Sequence, residues 1–231
     1  MALLAVGLLA TSCARSATTD EAVVGLIPSE RTVPISVSGC GFAEETAGTG
    51  IILDDGRVLV SGHVVGQSDR IDVVVDGAPF AGSVVALDVE NDLGLVELTA
   101  PDVPDQQGTL LYGQAVIGEE VVVSTSQAAD VGVDMTTSIV EVRPIRIQEV
   151  LGSERHEREA FSLDLVSTDG DSGAGVWSTD GVLLGVIFGH TTDDPQRGFA
   201  TASSVIENFV TNAAHQRWVC DSSRSRLSAE Q

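Results

Sequence analysis

Short Val-rich runs broken by Asp-Gly turns govern what this chain can fold into. Asp54-Asp55-Gly56, Asp76-Gly77 and Asp180-Gly181 each separate two apolar runs too short to be helices. Glycine reaches the φ > 0 that a tight hairpin turn demands, and Asp tolerates it. Helical periodicity is absent until the C-terminal end. With 24 Gly and only 4% aromatic residues, the chain of 231 residues reads as all-β.

The runs fall into two groups. Strands are expected at 48–53, 57–61, 70–75, 78–87 and 93–98, forming a first barrel over 35–102. The stretch 100–108, with Pro101, Pro104 and two Gln, reads as a linker. A second barrel, within 103–202, is expected from strands at 120–125, 136–147, 160–166, 175–178, 182–188 and 198–202. A helix follows over 203–219, with Ser204 and Glu207 as a capping box and Val205, Ile206, Phe209, Val210 and Ala213 as its apolar face. Residues 220–231 form a tail, and 13–34 a polar tether or surface arm.

Three residues carry the chemistry. Ser172 sits in Gly170-Asp171-Ser172-Gly173, where flanking glycines suit a tight turn with an exposed hydroxyl. A serine hydroxyl needs a neighbouring base, and that base needs a group to orient it. His63, at the end of Val58-Leu59-Val60-Ser61-Gly62-His63, is the candidate base. Asp92, in Asn91-Asp92-Leu93-Gly94-Leu95, is the candidate orienter. The order His, Asp, Ser is one of the known solutions for a hydrolytic triad.

These segments resemble the chymotrypsin-like (trypsin-fold) serine peptidases, especially the bacterial secreted branch. The His segment is similar to that family's Thr-Ala-Ala-His, the Asp segment to Asn-Asp-Leu-Ala-Leu and the Ser segment to Gly-Asp-Ser-Gly-Gly-Pro. The resemblance covers about Cys40 to Val219. It implies an all-β fold of two six-stranded antiparallel β-barrels packed together, with a C-terminal α-helix. It implies a serine endopeptidase working through an acyl-enzyme, without a cofactor, on a peptide or protein substrate. The other reading is a catalytically inactive trypsin-fold protein that binds or senses peptides in the cell envelope.

By the same resemblance, the backbone N–H groups of Gly170 and Ser172 form the oxyanion hole. Asp171 points away from the cleft toward another partner, such as an Arg. Val166, six residues before Ser172, would set charge preference, and its apolar side chain favours a neutral P1 residue. Val186, Ile187, Phe188 and Gly189 would line the substrate, and His190 reads either as a pocket residue for an acidic P1 or as an exposed loop His. Departures from the family pattern are small: Gly62 stands before the histidine, and Ala174-Gly175 follow Gly173.

Charge and termini bound the setting. The 34 acidic residues outnumber 12 basic ones, all Arg, for a formal charge of −22. That excludes nucleic acid and anionic membrane surfaces as partners, because the phosphate attraction has the wrong sign. The apolar run from Met1 to Ala10 fits the core of an export signal ending near residue 12, and is too short to span a bilayer. Leu9-Ala10-Thr11-Ser12-Cys13 resembles a lipoprotein signal box, so Cys13 reads either as lipidated or as incidental to a plain secretion signal. Cys40 and Cys220 then remain as a pair that can form a disulfide in an oxidising compartment. The protein is thus expected outside the cytoplasm, lipid-anchored or secreted, as a monomer that meets membrane only through its lipid. His156 reads as a solvated loop residue. Asp193-Asp194 reads equally as a calcium-ligating pair or a polar loop, and no metal site is assigned.

Overall fold

In a computed structural model, which describes residues 27–39, 42–99, 108–127, 130–148, 154–190, 194 and 196–213, the apolar runs close into two barrels. Strands β1 (Thr32–Gly39), β2 (Phe42–Ile52), β3 (Val58–Ser61), β4 (Arg70–Val75), β5 (Ala78–Asp88) and β6 (Leu93–Leu98) form the first, in the order β1-β2-β3-β6-β5-β4. After β7 (Glu120–Gln127) and β8 (Asp130–Val142), strands β9 (Ile145–Gln148) and β10 (Arg155–Arg158) pair as a separate two-stranded sheet. Then β11 (Ala160–Asp164), β12 (Gly175–Ser178), β13 (Leu183–His190) and β14 (Arg197–Ala202) complete the second barrel, in the order β11-β14-β13-β12-β7-β8. Strand neighbours within both barrels are antiparallel. Closure removes the sheet edges that short strands would otherwise expose. The all-β class and the double six-stranded barrel are as expected.

Side-chain alternation divides the apolar residues between three cores. Val58 and Val60 of β3 face the interior of the first barrel with Val33, Ile35 and Val73. Leu59, between them, faces out and meets Ile51, Leu95, Trp177, Leu183 and Ile206 in a core between the barrels. Val176 of β12 joins Val121, Ile139, Phe161 and Leu163 inside the second barrel, while its neighbour Trp177 turns to the shared core. Strands buried on both faces read as unbroken apolar runs.

Four elements differ from the sequence expectation. β1 begins at Thr32, inside the segment read as a surface arm, and is preceded by the helical turn α1 (Pro28–Arg31). Pro34 disguised it, since proline cannot donate to a sheet ladder. Here Pro34 faces Thr49 of β2, and pairing to β4 starts only at Ile35. The single strand expected over 136–147 breaks at Arg143-Pro144 into β8 and β9. His156 lies in β10 opposite Ile147, not in a loop. Helix α3 (Ser203–Asn212) stops short of 219, and its N-cap is Ala202 with no side-chain cap. Ser204 bonds Glu159 Oε2 at 3.1 Å instead of capping, and Ser203 Oγ donates to the Gly113 carbonyl. Its Val205, Ile206, Phe209, Val210 and Ala213 do face the shared core. Cys13, Cys40, Asp193 and Cys220 lie outside the described residues. Asp194 lies 3.5 Å from Arg197.

Buried polar contacts sew the barrels together. Arg31, fully buried, anchors α1 to the first barrel and the stretch that leaves it, donating to the carbonyls of Ile52 and Gly108 at 3.1 and 2.7 Å and pairing with Asp54 at 2.7 Å, while two hydroxyl bonds cross to the second. Thr32 Oγ1 donates to Ser124 Oγ at 2.9 Å, and Ser61 Oγ to the Ile187 carbonyl at 2.8 Å. Each such bond contributes about 1 kcal/mol net, but an orphaned buried partner costs about 1–3 kcal/mol. They therefore fix orientation more than they add stability.

Tyr112 reports on this junction. It bridges to Leu183 and packs against the shared core. Burial, then the carboxylates of Asp54, Glu207 and Asp55, push its phenol up to about 12, against the opposing pull of Arg31. It is the single tyrosine of the chain, so alkaline absorbance titration reads it alone. The folded protein should ionise near pH 12, and the denaturant-unfolded chain near the ordinary value of about 10. Because the folded state holds the proton more tightly, stability should fall as pH rises through that window.

Candidate active site

His63 follows β3 at the second position of a one-turn helix, α2 (Gly62–Val65). Asp92 ends the turn between β5 and β6. Its backbone is left-handed, φ 56°, a conformation Asp adopts more readily than most residues. That conformation lets one aspartate grip α2 three times. Its carbonyl accepts the Gly62 N–H at 2.8 Å, Oδ1 accepts the His63 N–H at 2.7 Å, and Oδ2 meets His63 Nδ1 at 2.8 Å. Gly62 eases this approach, since a Cβ there would lie 3.1 Å from the Leu93 nitrogen and 3.2 Å from the Asp92 carbonyl carbon, and its neighbours would have to give by a few tenths of an ångström. The Asp92 side chain is 5% exposed and that of His63 is 21%, so the carboxylate is sealed while the imidazole reaches the cleft.

Ser172 comes from the second barrel, on the turn between β11 and β12. Gly170 and Gly173 have φ of 98° and 93°, which only glycine adopts without strain. Ser172 Oγ lies 3.0 Å from His63 Nε2. The structure thus brings His63, Asp92 and Ser172 into one hydrogen-bonded row across the junction. A proton on His63 Nδ1 faces Asp92, which leaves Nε2 as the acceptor for the serine hydroxyl.

Thr49 of β2 clamps the serine turn from the first barrel. Its N–H donates to the Ser172 carbonyl at 2.9 Å and its hydroxyl to the Gly170 carbonyl at 2.8 Å, while the Ser126 N–H donates to that hydroxyl at 3.1 Å. The Gly173 N–H donates to Ile187, and that of Ala174 to Asp171. No acceptor among the described residues takes the N–H of Gly170 or Ser172. Asp171 is buried and does not line the cleft, and its partner is no arginine. Its Oδ2 accepts from the Thr168 N–H and hydroxyl at 2.7 and 3.0 Å.

The cleft before Ser172 holds about 600 Å³. Thr46, Ala47 and Val64 line it from the first barrel, and Ser167, Thr168, Asp169 and Gly170 from the second, with Gly189 and His190 on the remaining wall. The expected substrate wall is therefore corrected in part. Gly189 and His190 line the cleft. Val186 and Ile187 are buried in the cores, and Phe188 packs with Phe199 and Ala160. Val166 is 55% exposed and is not among the lining residues, so it sets no pocket charge. Ser167, Thr168 and Asp169 went unnoticed because a polar run before a Gly-Asp turn has no periodicity to mark it. Among the described residues no cluster of His, Cys, Asp and Glu could hold a metal ion.

Known proteins are similar to this chain in sequence and fold. The serine protease Rv3671c of Mycobacterium tuberculosis is 29% identical over 174 residues, which cover 73% of this chain and 43% of that protein. The human serine protease HTRA4 is 26% identical over 189 residues, covering 80% of this chain and 36% of its own length. The chain thus spans less than half the length of either relative. Among solved structures, the active form of Rv3671c superposes with a TM-score of 0.75 at 23% identity, over 83% of this chain and 84% of that one. A serine endoprotease from Yersinia pestis superposes at 0.62 with 18% identity, over 80% and 62%. These superpositions establish the two-barrel fold. The family model described as a trypsin-like peptidase domain matches residues 48–186, more than half of the chain and a span that includes His63, Asp92 and Ser172, and the chain belongs to that family.

Proposed function

We propose that this protein is an exported serine endopeptidase that hydrolyses peptide bonds through an acyl-enzyme. One observation carries the reading: Asp92 Oδ2, His63 Nδ1, His63 Nε2 and Ser172 Oγ stand in line at 2.8 and 3.0 Å across the junction of two barrels. Ser172 Oγ attacks the peptide carbonyl carbon while His63 Nε2 takes the hydroxyl proton. The C–N bond then breaks, the amine leaves with that proton, and the acyl group stays on Ser172 as an ester. Water attacks the ester, His63 takes its proton, and the proton returns to Ser172 as the acid departs. Asp92 holds the imidazole tautomer and stabilises the imidazolium.

The N–H groups of Gly170 and Ser172 are the proposed donors to the oxyanion, and the absence of an acceptor for either among the described residues supports that role. One such donor contributes about 3–4 kcal/mol to transition-state stabilisation. The substrate is a peptide segment laid between Thr46–Ala47 and the Gly189–His190 wall. Export rests on the apolar N-terminal run, with Cys13 as a lipid attachment point and a Cys40–Cys220 bridge suited to an oxidising compartment.

A fluorophosphonate probe tests the chemistry without a known substrate. The protein should be labelled at Ser172, identified by mass spectrometry. Ser172→Ala should abolish labelling, and His63→Ala and Asp92→Asn should slow it by about 10³–10⁴-fold. Folded protein that never labels, or labels elsewhere, contradicts the proposal. Gly173→Ala separates turn geometry from chemistry. A Cβ at that left-handed position would run into the Thr49 carbonyl oxygen. The variant should lose at least about 1–3 kcal/mol of stability and most of its labelling, although no reacting group has changed.

A further inference from the structure

The turn that carries Asp92 is gripped from β10 and β14 as well as from α2. Arg158, at the end of β10, is only 2% exposed. Its Nε and Nη2 donate to the Glu90 carbonyl at 3.2 and 2.9 Å. Its Nη1 lies 4.0 Å from Asp92 Oδ2, the same oxygen that meets His63 Nδ1. The guanidinium carbon sits 4.5 Å from the centre of the Phe188 ring, and Phe188 precedes the cleft residues Gly189 and His190. The next carbonyl, that of Asn91, accepts from Thr201 Oγ1 of β14 at 3.2 Å. Two consecutive carbonyls before Asp92 are thus held from outside the first barrel, one by β10 of the two-stranded sheet and one by β14 of the second barrel.

This grip answers a local need. A non-glycine residue at φ 56° persists only where its surroundings over-determine it. The Asp92 carboxylate is sealed from water, where an unpaired charge is costly. Burial pushes the Arg158 guanidinium down from its ordinary range, while the carboxylates of Asp92 and Asp88 draw it back up. Arginine stays protonated throughout the working range of the site. The titratable and charged groups gathered here are His63 from α2, Asp88 from the end of β5, Asp92 itself and Arg158 from β10. Glu90 offers its carbonyl, and Asp88 is held by Asn91 at 2.8 and 3.0 Å.

We infer that Arg158 is a positioning residue for the triad: it fixes the Asp92 turn through the Glu90 carbonyl and keeps the Asp92 carboxylate facing His63. The inference rests on the serine peptidase reading above. It also makes the cleft wall and the catalytic turn parts of one packed unit, joined through Phe188.

Fluorophosphonate labelling kinetics test it, since the inactivation rate at saturation (kinact) separates chemistry from probe binding (KI). With melting temperatures confirming folded protein, Arg158→Met should lower kinact at least about tenfold, with KI unchanged within about twofold, as expected of a lost positioning contact. Arg158→Lys keeps the charge but not the planar fork. It should retain more of kinact than Arg158→Met, again at unchanged KI. Arg158→Met behaving as the parent overturns the inference. So does a loss that falls on KI as much as on kinact, or an equal loss of kinact in both variants, which would mark a merely structural residue. Should Arg158→Met fail to fold, Arg158→Lys decides: a reduced kinact at unchanged KI sustains the inference, and parental kinact overturns it. An unlabelled parent overturns the proposed function and this inference together, whereas a labelled parent with unaffected variants overturns this inference alone.

Discussion

Thr49 joins two halves of a site that neither barrel could hold alone. It is buried on β2 of the first barrel, yet its N–H and hydroxyl take the carbonyls of Ser172 and Gly170 on the serine turn of the second. The serine turn has two left-handed glycines and few apolar anchors of its own. Its position relative to His63 is therefore set by contacts that cross the junction. Those carbonyls face an orienting donor, and the corresponding N–H groups have no acceptor among the described residues. One interaction thereby fixes the nucleophile's reach and frees the donors beside it. The same logic runs in reverse at the Asp92 turn, where Arg158 of the β9–β10 sheet and Thr201 of the second barrel hold carbonyls of the first.

The energetic division follows from burial. Each barrel has its own apolar core, and a third core lies between them around Leu59, Leu95, Trp177 and Ile206. Apolar burial brings the barrels together but is non-directional. The buried hydroxyls and guanidinium groups at the junction supply direction, because each penalises an orientation that leaves it unsatisfied. A triad needs its atoms held to within about half an ångström, which apolar packing alone seldom ensures.

Much of this was legible in the chain, for physical reasons. His63, Asp92 and Ser172 each sit where an apolar run meets a turn, so local pattern and chemistry coincide. The hairpins at Asp54-Asp55-Gly56 and Asp76-Gly77 announce themselves because left-handed turns demand those residues. β1 was hidden by Pro34, and β10 by the charged string Arg155-His156-Glu157-Arg158, whose last member is fully buried. Thr49 and Arg158 carry no local signal, since their importance arises from partners more than a hundred and about seventy residues away. Val166 was misplaced by spacing alone: counting back from Ser172 assumes a loop path, and here Ser167, Thr168 and Asp169 take the cleft instead.

The central claim is that cross-barrel hydrogen bonds hold a ready triad and oxyanion site around Ser172. A crystal structure of the protein after reaction with a fluorophosphonate tests it most directly. The account predicts phosphorus bonded to Ser172 Oγ, the phosphoryl oxygen within hydrogen-bonding distance of the Gly170 and Ser172 N–H groups, and both Thr49 contacts intact. A phosphoryl oxygen turned away from those N–H groups, or a serine turn released from Thr49, would contradict it.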